Sequence, residues 1–263
     1  MRSKMVPKKP LNSLGAVYSE EWRTNVEGDE PQTPLRNYGR NHSNVDGLSV
    51  HFDNIVPTIQ EIAACSDVAV GAVAWLTNEE LLDSLKRLKR VAVVVQKEDF
   101  LRQDTEETPK RFRSRLRSQY DDLNPISYDD FCESYPGQQE GIPGLHHNIA
   151  PHILGYKGLH VEGAVRTIGY RRESGDMRTP VMHHKFMVFG NYRSDHLMFP
   201  NCVVTGSFNW TRNATSSREN ILVIYDEAIC ADFVSEWAQL WARSERLDWE
   251  CPVPQVQQHY IGT

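Results

Sequence analysis

His183 and Lys185 stand two positions apart in the run Met182-His183-His184-Lys185-Phe186-Met187-Val188-Phe189-Gly190. On a strand, that spacing puts both side chains on one face. An imidazole beside an ammonium suits an incoming phosphate: the Lys supplies fixed positive charge while the His attacks phosphorus or moves a proton. Downstream, Gly206-Ser207-Phe208-Asn209-Trp210-Thr211 follows another expected strand and leads towards a helix. There the N–H groups of a helix start, the Ser207 hydroxyl and the Asn209 amide are all donors to phosphate oxygens. Glu219 opens the next expected strand, where its carboxylate can accept a hydrogen bond from a His ring N–H, fixing the tautomer and raising basicity.

Together, His183-x-Lys185, Gly206-Ser207-x-Asn209-Trp210 and Glu219-Asn220 resemble the phospholipase D superfamily, and within it the small single-motif nucleases. The resemblance extends over residues 48–243 and includes Trp75-Leu76-Thr77 in the first half. It implies that His183 forms a covalent phosphohistidine, that Lys185 and Asn209 hold the phosphate with support from Ser207, and that Glu219 orients the histidine. It implies no metal and no cofactor. The family pattern also places an Asp five residues after the Lys. Here that residue is Gly190, and Asp195 in the long following loop does not have the spacing to replace it.

Such chemistry uses two histidines, a nucleophile and an acid for the leaving group, yet the chain holds one His-x-Lys. A two-fold homodimer that brings two copies of His183 together supplies both. The expected activity is therefore that of a metal-independent phosphodiesterase, an endonuclease on DNA or RNA. Two alternatives use the same residues: a phospholipase or transphosphatidylase, and a catalytically weak nucleic-acid-binding subunit of a larger defence or repair complex. In the last case the N-terminal arm and the inserted segment would recruit a helicase or another protein partner.

The elements that must position these groups form an α/β pattern. Strands are expected at 48–52, 68–75, 91–95, 164–169, 181–189, 202–205 and 220–225. Helices are expected at 56–65, at 78–90 capped by Thr77, at 109–120, and at 227–243, the last burying Ile229, Phe233, Trp237, Leu240 and Trp241. This predicts a mixed central sheet with helices on both faces, a phospholipase D-like α/β/α sandwich. Residues 1–47 read as an irregular arm with a short helix near 18–23, 98–160 as an insertion, and 244–263 as a tail. Lys110, Arg111, Arg113, Arg115 and Arg117 make a dense basic run within the insertion, and with Arg212 and Arg218 they are the candidate nucleic-acid contacts. His146, His147, His152 and His160, with Cys132, fit no metal-ligand spacing.

The 263-residue composition fits this reading. It carries 29 Lys and Arg against 35 Asp and Glu, a net charge of −6, so nucleic acid would be met by a local basic surface rather than by the whole body. The longest apolar run, residues 68–76, is far too short for a membrane span. The five cysteines are scattered without a C-x-x-C pair, as in a cytoplasmic protein with reduced thiols.

Overall fold

The computed structural model describes residues 42–98, 101, 110–126, 163–171, 179–192, 198–249 and 251–253. The short helix expected near 18–23, the histidines of 146–160 and Cys132 lie outside them.

Two runs of small and branched residues, β3 (Val68–Val73) and β4 (Arg90–Gln96), are buried almost throughout. A strand this apolar on both sides needs cover on both sides. One face of β3 and β4, carrying Ala69, Val73, Val91, Val93 and Val95, packs against Ile59, Leu81, Leu82, Leu85, Leu116 and Tyr120. Those residues come from helices α1 (Ile55–Ala64), α2 (Glu79–Leu85) and α3 (Lys110–Asp121). The other face, with Val68, Val70, Ala72, Ala92 and Val94, packs against Cys230, Val234, Trp237 and Trp241 of α4 (Glu227–Ala242). The expected sandwich is what forms.

The remaining strands are β1 (His42–Val45), β2 (Leu48–His51), β5 (Val165–Ile168), β6 (Lys185–Tyr192), β7 (Met198–Gly206) and β8 (Ile221–Ile224). They complete an eight-stranded sheet in the order β1-β2-β8-β7-β6-β3-β4-β5. The β3–β4 and β4–β5 pairs are parallel and the others antiparallel.

Several boundaries differ from the sequence reading, each for a physical reason. The arm gives up its last residues to the sheet, because β1 and β2 make a hairpin over Asp46-Gly47, where Gly47 has φ 72°. Helix α2 is capped by Asn78, whose Oδ1 accepts from Leu81 N at 3.1 Å, rather than by Thr77. The buried face of α4 is Cys230, Val234, Trp237, Ala238 and Trp241, while Ile229 stays 39% exposed. Of the expected set, Trp237 and Trp241 are buried and Phe233 and Leu240 pack partly buried against the same core, while Cys230 and Val234 come closest to the sheet.

Helix α3 is not peripheral: Leu116 and Tyr120 are in the core, and the Tyr120 hydroxyl donates to Leu76 O at 2.6 Å. Nor is the start of the tail separate. Glu245 and Thr167 exchange backbone hydrogen bonds at 2.7 and 2.8 Å. The Lys97 ammonium bonds Glu245 Oε1 at 2.7 Å and the carbonyls of Cys251 and Val253. Among the described residues, no helix is long and apolar enough to cross a membrane.

Candidate active site

Strand register brings the chemistry together at one end of the sheet. Val73 at the end of β3 pairs with Lys185 at the start of β6, Phe186 pairs with Thr205 near the end of β7, and Gly206 pairs with Ile221 at the start of β8. Trp75, His183, Ser207 and Glu219 therefore all lie just beyond one edge. Ala74 N donates to His184 O at 2.9 Å, and Thr77 N and Asn78 N both donate to Trp210 O. Strand β6 begins at Lys185 rather than 181, so His183 sits on the extended approach to it.

Gln96 anchors that approach. Its Oε1 accepts from Met182 N at 2.7 Å, and its Nε2 donates to Tyr170 O at 2.7 Å and to Lys97 O at 3.1 Å. Gly169, at φ 100°, leaves room for it: a Cβ there would come within 2.5 Å of Gln96 Oε1. Sequence reasoning missed Gln96. The available signal was a fully buried amide ending an otherwise apolar strand, a polar group that must find partners.

Lys185 Nζ lies 3.1 Å from His183 Nδ1 and 2.8 Å from the His183 carbonyl oxygen. An ammonium only donates, so Nδ1 accepts, and a neutral His183 in this arrangement carries its proton on Nε2. The Trp75 ring meets the His183 ring edge-on, with centroids 5.4 Å apart, and lies 5.9 Å from Lys185 Nζ. Partial desolvation lowers the His183 pKa, and the charges of Lys185 and His184 push the same way. Burial also lowers the Lys185 pKa, against a partial offset from the Glu219 carboxylate. Desolvation thus favours a neutral imidazole and disfavours the charge on Lys185, which the Glu219 carboxylate partly restores.

Glu219 is spoken for differently than expected. Its Oε2 accepts from the Ser207 hydroxyl at 2.5 Å, and Ser207 Oγ in turn accepts from Asn220 N at 3.1 Å. Within one chain the carboxylate does not bond the His183 ring. Nor does Gly206-Ser207 open a helix with free N–H groups: Ser207 N and Phe208 N donate to Asn220 O, and the next element is a 3₁₀ turn, Asn213–Ser216. Ser207 thus braces Glu219. Asn209 is half-buried, and its Oδ1 is buried without a hydrogen-bond partner among the described residues.

The basic run splits into two groups. Arg113 is buried, Arg115 pairs with Glu79, and Arg117 is largely buried against Asp248 at 2.6 Å. Arg113 and Arg117 are drawn against the body of the protein because α3 is a core helix, while Arg115 stays exposed in its pair with Glu79. Arg111, Arg212 and Arg218 are exposed, and the Lys110 side chain lies outside the described set. His184 turns to the opposite side, towards Glu236 of α4, 3.2 Å away.

Gly190 lies at the far end of β6, beside a register irregularity. A Cβ there would stand 2.5 Å from Phe199 O, so the position as packed admits no Asp. Asp67 provides a carboxylate at that end instead, accepting from Tyr192 N at 3.1 Å and pairing with Lys89 at 2.9 Å. Asp195 lies outside the described residues.

Residues 155–241 match the family described as cardiolipin synthase, PLD-like domain. The match places this segment, and with it every residue from His183 to Glu219, in the phospholipase D superfamily. The chain is similar to an uncharacterized protein of Acanthamoeba polyphaga mimivirus, 26% identical over 211 residues, covering 80% of this chain and 71% of that one. It is also similar to the mitochondrial cardiolipin hydrolase of Xenopus tropicalis, 38% identical over 80 residues. That match covers 28% of this chain, and it spans only 34% of the hydrolase's length. Among solved structures, Nuc of Salmonella typhimurium aligns with a TM-score of 0.42 and 14% identity, over 76% of this chain and 97% of Nuc. NucT of Helicobacter pylori aligns with the same score and identity, over 76% and 98%.

Proposed function

We propose that the protein is a metal-independent phosphodiesterase that cleaves nucleic acid as an endonuclease, through a phosphohistidine on His183 in a homodimeric site. The observation that carries this reading is the Lys185 ammonium within 3.1 Å of His183 Nδ1, at a sheet end that also holds Glu219, Ser207 and Asn209. An arriving phosphate draws Lys185 onto its oxygens. Nδ1 is then released, and the ring proton moves through water from Nε2 to Nδ1. The Nε2 lone pair attacks phosphorus, the bond to the leaving oxygen breaks, and that oxygen takes a proton from the second copy's imidazolium. Water, deprotonated by that same imidazole, then attacks phosphorus and releases His183. Asn209 and the exposed Arg212 and Arg218 hold the substrate phosphates.

The test is cleavage of matched single-strand DNA, duplex DNA and RNA in EDTA, with His183→Ala alongside. Cleavage that is lost in the variant supports the reading; cleavage that needs added Mg²⁺ sinks it. The similarity to cardiolipin hydrolases favours a second reading, hydrolysis of a phospholipid headgroup ester by the same residues. Release of phosphatidic acid from cardiolipin vesicles, with no cut in any nucleic acid, would put that reading first.

A further inference from the structure

The side chain in contact with both catalytic candidates is one that neither the motif nor the proposed chemistry uses. Trp75 follows β3, half-buried, and its Nε1 donates to Glu98 Oε1 at 3.1 Å. That bond sets the plane of the indole from behind, through the residue that follows Lys97 beyond β4. The same ring meets the His183 imidazole at an interplanar angle of 79° and lies 5.9 Å from the Lys185 ammonium. His183 is thereby held from two directions, its Nδ1 by Lys185 and its ring by Trp75. Lys185 is held by the π-face and by the His183 carbonyl.

We infer that Trp75, tethered by Glu98, is a positioning residue of the site: it fixes the His183 ring and the Lys185 head relative to each other. The inference rests on His183 and Lys185 being the reacting pair of the proposed phosphodiesterase. Its physical basis is that an edge-on aromatic pair and a cation over an indole both have preferred geometries, which a rotatable imidazole and a flexible lysine do not have alone. The indole also covers part of an otherwise exposed imidazole, and partial desolvation is the first cause of the lowered His183 pKa. The charged groups around His183 are Lys185 and His184 on its own segment, Glu219 before β8 acting on Lys185, and Glu98 behind the indole.

The experiment compares Trp75→Ala, Trp75→Phe, Glu98→Gln and Glu98→Ala with the wild type. It measures kcat and KM for cleavage, and the titration of the His183 ring by NMR. In Trp75→Ala the His183 ring is expected to titrate at higher pH than in the wild type, and kcat to fall about tenfold or more with KM changed by less than about threefold. Trp75→Phe keeps a ring against His183 but has no Nε1 for Glu98, so its kcat is expected between the wild type and Trp75→Ala, whereas Glu98→Gln, which retains an acceptor for Nε1, is expected to keep kcat within about threefold. An unchanged His183 titration in Trp75→Ala overturns the inference, and so does a rise in KM alone, which would make Trp75 a substrate contact. If Trp75→Ala does not fold, Glu98→Ala leaves the indole present but untethered, and a wild-type His183 titration and kcat there overturn the inference equally. Should the wild type cleave no nucleic acid, the proposed activity fails, while the His183 titration in the variants still decides the role of Trp75.

Discussion

The Lys185 ammonium bonds both the ring and the backbone of one residue, His183, at 3.1 Å to Nδ1 and 2.8 Å to the carbonyl oxygen. The pair is preorganised before any substrate arrives, and among the described residues that preorganisation separates these two from the other histidines and lysines. His183→Ala is expected to lower kcat/KM by roughly a thousandfold or more, because it removes the proposed nucleophile. Lys185→Arg is expected to lower it as well, since a planar, bulkier guanidinium cannot replace a compact ammonium that moves from His183 to the arriving phosphate. Steady-state cleavage of a labelled oligonucleotide measures both.

The direction of the His183 shift sets the pH dependence. Its pKa is lowered by desolvation first, then by Lys185 and His184. The ring therefore stays neutral to lower pH than an ordinary histidine. The acid limb of kcat/KM is expected below the usual histidine value of about 6.5. His184→Gln removes one like charge and is expected to move that limb up slightly. For stability the sign is the same: the contribution of a lowered pKa is present above the unfolded value and lost as pH falls through the folded one. A limb above the ordinary value would contradict this.

Restoring the motif carboxylate by Gly190→Asp is expected to harm the protein rather than improve it. The new Cβ would stand 2.5 Å from Phe199 O and 2.9 Å from the Met198 methyl. Overpacking of this kind costs roughly 1–3 kcal/mol, which lowers Tm by about 2–4 °C per kcal/mol in a chain of this size. Thermal unfolding by circular dichroism measures it, and a variant as stable as the wild type would show that β7 yields easily.

The Lys97–Glu245 pair ties the segment after α4 to the end of β4, with Lys97 fully buried and the Glu245 side chain 8% exposed. Glu245→Ala leaves a buried ammonium with only carbonyl partners and is expected to destabilise by about 3–5 kcal/mol. Glu245→Gln, which keeps an acceptor for Nζ, is expected to cost less. Chemical denaturation of the three proteins checks the order.

Much of the fold was legible because its signals are local and dense. The valine runs of β3 and β4 can only be strands covered on both faces, and the leucines of α2 mark one stripe. On α4, Trp237 and Trp241 are buried as expected and Phe233 and Leu240 pack against the same core, but Ile229 stays exposed while Cys230 and Val234 take the closest positions against the sheet. The basic run on α3 read as a surface because its charges dominate, yet Leu116 and Tyr120 dock the helix and draw Arg113 inside.

The candidate site divides in the same way. The ordered set His183, Lys185, Ser207, Asn209 and Glu219 is chemistry written at short spacings, so the sequence by itself determined which residues are the candidates to meet phosphate and which superfamily they suggest. Only the tertiary structure decided their pairing: Glu219 with Ser207 rather than His183, Lys185 with Nδ1, Trp75 and Gln96 as the supports, and a closely packed strand where the motif carries an acid. Those outcomes depend on strand register, and register depends on contacts between residues far apart in the chain, which no local pattern specifies.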